Sequence, residues 1–143
     1  MENKTSIASR WAYEIKSGQQ RQCVFLAEGT QYDVKLLRGV LESDGWQTSL
    51  ADKACTADNV NETAPDLVIL DSMLPGIDIL KICRDIRMKS RVPVLVFGKQ
   101  PDKETLVACL DSGADDFITM PLNPAELLAR VRALTRLSLA AGN

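Results

Sequence analysis

Histidine is absent from all 143 residues. That excludes a Ser-His-Asp triad, ligation of a metal by imidazole and a phosphohistidine on this chain. The four cysteines, Cys23, Cys55, Cys83 and Cys109, form no C-x-x-C pair. Three of them fall inside apolar strand or helix patterns, which reads as buried, reduced thiols rather than a disulfide or metal site. No apolar run approaches the ~20 residues of a membrane span, and the N-terminus has no apolar stretch of the secretory kind. Nor is there an excess of either charge. A formal net charge of -2 gives no general attraction to nucleic acid or an anionic membrane. What is present, 45% apolar and 25% charged residues, is the balance of one cytoplasmic globular domain with a single core.

Along the chain, three regions separate: an extension over 1–21, a domain over 22–137 and a tail or linker start over 138–143. Within the extension, Ile7, Ala8, Trp11, Ala12 and Ile15 recur on one helical face, which predicts an amphipathic helix docked on the domain or on a second copy. From residue 22, strand and helix patterns alternate. Short apolar runs at Cys23–Ala27, in "DLVILD" and in "VPVLVF" read as buried strands. Trp46–Leu50 is a weaker one, and Phe117–Met120 the fifth. Between them lie helical stretches over Gln31–Ser43, Ala51–Glu62, the segment marked by Ile79, Leu80, Cys83 and Ile86, Asp102–Ser112, and Asn123 to about Leu137. Asp102 is placed to cap its helix, and Asn123-Pro124-Ala125-Glu126 has the form of a capping box.

Five alternations of this kind predict right-handed crossovers and a doubly wound parallel sheet, a (βα)5 α/β fold. Continuous apolar strands agree, since helices then cover both faces. Sites in such sheets form at the carboxyl ends of the strands, and that edge carries Glu28, Asp71, Gly98 and Met120. A flavin or nucleotide binder on the same fold needs a glycine-rich phosphate loop after the first strand. "AEGTQ" offers one glycine, which weighs against that reading.

In "PDLVILDSMLPGIDILKICRDIR", "VPVLVF", "SGADDFIT" and "NPAELLARVRALTR" the chain resembles the receiver domain of two-component response regulators, a CheY-like, flavodoxin-type fold. Within that family the match is closest to the OmpR/PhoB-type branch. The resemblance implies that Asp71 stands at the phosphoacceptor position and Glu28 at the first of two acidic positions that help hold a divalent metal. It also exposes three departures. Gly29 replaces the second acid, Gly98 a hydroxyl-bearing residue that bonds the phosphoryl group, and Met120 a lysine that pairs with it. Phe117 keeps the aromatic coupled to that hydroxyl. Mg²⁺ prefers a near-octahedral set of oxygens, and a phosphoryl dianion prefers a cation and a donor. The expectation is therefore an atypical, phosphorylation-independent receiver with weak or no Mg²⁺ binding, no other cofactor and no enzymatic activity. A slow but genuine phosphoacceptor at Asp71 is the alternative.

Met120 is expected to fill the lysine's volume with an apolar thioether, before a cis Met120–Pro121 bond of the kind usual in the family. Lys99 is expected to lean its ammonium over Asp71; a solvated lysine on the loop is the alternative. The resemblance further implies a homodimer through the fourth helix, fifth strand and fifth helix. Leu106, Asp115, Asp116, Glu126, Arg130 and Arg132 match that face, with Leu106 where a basic residue is usual. Arg130, Arg132 and Arg136 read as a solvated or ion-paired face rather than a nucleic-acid contact. The partners implied are a second copy, a sensor kinase or another regulatory protein, and DNA only through a C-terminal domain outside these residues.

Overall fold

The computed structural model describes residues 21–51 and 57–141. The expected amphipathic helix with Ile7, Trp11 and Ile15 lies outside the described residues, as does Cys55. Five strands are present: β1 (Gln22–Leu26), β2 (Gln47–Leu50), β3 (Leu67–Asp71), β4 (Val94–Gly98) and β5 (Asp116–Thr119). Five helices alternate with them: α1 (Tyr32–Ser43), α2 (Ala57–Glu62), α3 (Ile79–Lys89), α4 (Lys103–Asp111) and α5 (Pro124–Ala141). All strand pairs are parallel, in the order β2-β1-β3-β4-β5. The doubly wound α/β fold expected from the alternation is the one observed.

Side chains leave a strand alternately to its two faces, and the central strands are apolar at both parities. Phe25, Ile69, Leu95 and Phe97 form one core with Val34, Leu37 and Leu41 of α1 and Leu127 and Val131 of α5. Their neighbours Leu26, Val68, Leu70, Val94 and Val96 form the other, with Val60 of α2, Ile79, Cys83 and Ile86 of α3, and Cys109 of α4. The register Asp71↔Phe97 and Gly98↔Thr119 aligns the carboxyl ends of β3, β4 and β5, which is what gathers the candidate site.

Asp78 and Asp102 cap α3 and α4 by accepting from Lys81 N and Thr105 N. Asn123 caps α5 by accepting from Glu126 N at 3.0 Å. The reciprocal arm of the expected capping box is diverted: the Glu126 carboxylate accepts from Arg130 at 2.9 Å. An exposed glutamate one turn before an arginine finds a charged donor there. Gly113, which follows α4, has φ +119, the left-handed region that favours glycine at a helix stop.

Beneath the amino ends of β4 and β5, Arg87 joins three segments. Its guanidinium donates to Gly113 O at 2.8 and 3.2 Å, to Val92 O at 2.8 Å and to Ser90 O at 3.3 Å, and it pairs with Asp115 at 2.9 Å. Asp115 also accepts from Val94 N at 2.8 Å.

Candidate functional site

A cleft of about 480 Å³ opens at the carboxyl edge of the sheet, between the ends of β1, β3, β4 and β5. Glu28, Asp71, Gly98, Lys99 and Met120 all line it, so five of the residues singled out in the sequence share one cavity. Asp71 is only 8% exposed. Its Oδ1 accepts from Met73 N at 2.9 Å, because the chain turns directly after β3 and brings that amide back over the carboxylate. Among the described residues, nothing donates to its Oδ2 and no cation pairs with it.

Lys99 does not take the expected place. It stands exposed on the rim and forms no ion pair with Asp71. An ammonium on a four-carbon stem keeps its hydration when water is within reach, and the rim allows that. Met120 behaves as its chemistry predicts, lining the cleft while packing partly buried against the α1/α5 core. Its N–H donates to Gly98 O at 2.8 Å, which ties the end of β5 to the end of β4. The Met120–Pro121 bond is cis.

A Cβ at Gly29 or Gly98 would meet a neighbouring side chain. A Cβ at Gly29 would run into the Leu50 side chain of β2, so that position faces the neighbouring strand end. At Gly98 a Cβ would strike the Ser72 hydroxyl and stand 3.2 Å from Ser72 Cβ and 3.5 Å from Phe117 Cζ. Ser72 thus occupies the space a larger residue 98 would take, a role the sequence reading did not assign. Phe117 is half-buried against the α3/α4 core and lines a second groove of about 620 Å³ between the starts of α3 and α4. Among the described residues there is no group of three or more His, Cys, Asp or Glu that could hold a metal ion.

A family model described as the response regulator receiver domain matches residues 24–132. The chain belongs to that family. It is 40% identical over 119 residues to the DNA-binding response regulator MtrA of Mycobacterium tuberculosis, covering 81% of this chain and 51% of MtrA. To the transcriptional regulatory protein CseB of Streptomyces coelicolor it is 40% identical over 97 residues, covering 67% of this chain and 42% of CseB. The chain therefore spans about half the length of the curated relatives it matches or less. Among solved structures it is similar to the BeF3-activated N-terminal receiver domain of Klebsiella pneumoniae RstA. There the TM-score is 0.68 at 30% identity, covering 81% of this chain and 99% of that one.

The residues assigned to a dimer face do not all share one surface of this receiver. Arg130 pairs with Asp116 and Glu126, each at 2.9 Å, and these bonds raise its already high pKa, Asp116 contributing most. Leu106 is half-buried on α4, with Val107 and Leu110 exposed beside it. Arg132, in contrast, pairs at 3.1 Å with Asp44 at the end of α1. Two residues on a helix are ~200° apart, so Arg132 cannot share the face of Arg130. Asp115 is held by Arg87 and Val94 N in the clamp beneath β4 and β5. No described helix is long and apolar enough to cross a membrane.

Proposed function

We propose that this receiver has left the phosphorylation cycle and works as a non-enzymatic interaction module in two-component-type signalling or transcription regulation. The supporting observation is the surroundings of Asp71: a buried carboxylate with glycine at 29 and 98, an apolar thioether at 120 and no paired cation. Phosphoryl transfer is driven by positioning and by neutralising charge on the transferred oxygens. A cleft whose walls carry carboxylates and thioethers does neither. Mg²⁺ has no site of its own in this reading, and no other cofactor is required. Signals then pass through contacts with a second copy, a sensor kinase or another regulatory protein, and DNA is reached through a further domain.

Intact-mass measurement after treatment with acetyl phosphate and Mg²⁺ tests the proposal. Unchanged mass is expected, and stoichiometric labelling of Asp71 within minutes refutes it. The alternative, a slow phosphoacceptor, draws on the unbonded Oδ2 of Asp71 facing the cleft. It predicts labelling over hours that Asp71→Asn abolishes.

Self-association is proposed through α4, β5 and α5. Support comes from Leu106, Val107 and Leu110 lying on a helix that buries only Cys109 of its own residues, next to charges satisfied within the chain. Leu110→Lys should lower the sedimentation-equilibrium association constant without changing the melting temperature, and an unchanged constant excludes this face.

A further inference from the structure

We propose that the Asp71 cleft is a binding site for a small molecule carrying one protonated amine on an apolar body. This rests on the reading above that Asp71 is not a phosphoacceptor. The walls are mainly apolar, built from Met73, Leu74, Pro75, Phe97 and Met120. Its volume, about 480 Å³, lies within the range of small-molecule pockets. Asp71 stands at its floor with 92% of its surface covered, following from its 8% exposure. One oxygen is taken by the Met73 amide, and among the described residues the other has no donor.

A carboxylate on a residue this enclosed is held in surroundings less polar than water, where a charged donor makes the stronger hydrogen bond. The other polar groups in the walls point the same way. Asp33 and Glu28 line the cleft, and so does Gln31, whose buried Oε1 accepts no hydrogen bond. Thr30 adds a hydroxyl to this lining, and the three carboxylates outnumber the single lysine, so an anion is disfavoured there. Among the described residues no group of three or more His, Cys, Asp or Glu gathers around one ion position. Lys99 is the one cation on the lining, and it stays exposed on the rim, where water screens it. An ammonium group small enough to pass the rim can reach Oδ2, and its apolar body then covers the methionines and Phe97.

Three probes with one flexible body and different heads test this on the full chain: hexylamine, 1-hexanol and hexanoate, titrated into ¹⁵N-labelled protein. Hexylamine is expected to shift the Met73 and Met120 amides and to half-saturate at a concentration roughly tenfold or more below that of hexanol. Hexanoate is expected to leave them in place. Asp71→Asn, checked for a native-like spectrum, should remove the advantage of hexylamine over hexanol. Met120→Lys should weaken hexylamine binding by placing a tethered ammonium in the same cleft, and it serves if Asp71→Asn misfolds. Equal binding of amine and alcohol, shifts that cluster away from the cleft, or no response to hexylamine overturns the proposal. Acetyl phosphate labelling on the same sample separates the two ideas. Labelled Asp71 defeats the phosphorylation-independent reading alone, whereas absent head-group selectivity without labelling defeats the amine site alone.

Discussion

Replacing Arg87 with alanine removes a donor set that nothing nearby can supply. Its bonds to Gly113 O and Val92 O, both with a distance of 2.8 Å, are charge-assisted and half-buried. The contacts to Ser90 O at 3.3 Å and from Nε to Gly113 O at 3.2 Å are longer and weaker. Taking a net contribution of ~1–1.5 kcal/mol for each short bond, and less for the others, Arg87→Ala should cost about 2–4 kcal/mol. The Asp115 side chain is 41% exposed, so the ion pair itself is screened and should account for less than ~1 kcal/mol of that total. Urea denaturation of wild type, Arg87→Ala, Asp115→Asn and the double variant separates the two contributions. Most of the loss should remain in Arg87→Ala when residue 115 is asparagine. A loss below ~1 kcal/mol, or a coupling energy that accounts for most of it, refutes the assignment of the clamp to backbone carbonyls.

Three further outcomes follow from the geometry. Burial pushes the Cys83 thiol up to about 11, with Cys109 adding to it, and it also raises Cys23 and Cys109; iodoacetamide at pH 8 should therefore leave all three unmodified over hours in peptide mass spectra, and rapid native-state alkylation would contradict their packing. The Thr105 amide holds Asp102 below its ordinary 3.8, so its capping contribution is complete above that value and fades as pH falls through the lowered one; the gap in melting temperature between wild type and Asp102→Ala should narrow below about pH 4, and a constant gap would count against the cap. Gly98→Thr brings its Cβ against the Ser72 side chain and should destabilise the domain by about 1–3 kcal/mol. Pairing it with Ser72→Ala should recover part of that loss, and additive losses would show that Ser72 is not the obstacle.

The layout of strands and helices was legible because the two periodicities are clean. The β3 and β4 runs are apolar at every position before the last, while Val34, Leu37 and Leu41 repeat at helical spacing. The grouping of Glu28, Asp71, Gly98 and Met120 followed from parallel topology alone. The placement of Arg132 was also present in the sequence, since its spacing from Arg130 turns it to another face. Arg87 left no comparable sign, because most of its partners are backbone carbonyls, including one 26 residues away. The rim position of Lys99 was not legible either. Whether a lysine folds over a carboxylate or stays in water depends on the shape of the opening, and no residue pattern encodes that shape. Ser72 was overlooked because a serine after a strand reads as ordinary turn chemistry.

The clamp gives α4 the mechanics of a lever. Its C-terminal end is fastened twice, by the Arg87 grip on Gly113 and by Cys109, the single residue that the helix buries. Its N-terminal end, near Lys99 and the Asp71 cleft, is held by the Asp102 cap, which is internal to the helix and resists no rotation of the whole. Because Val107 and Leu110 ride on this arm, any tilt of the helix would change the pitch of the apolar surface they form.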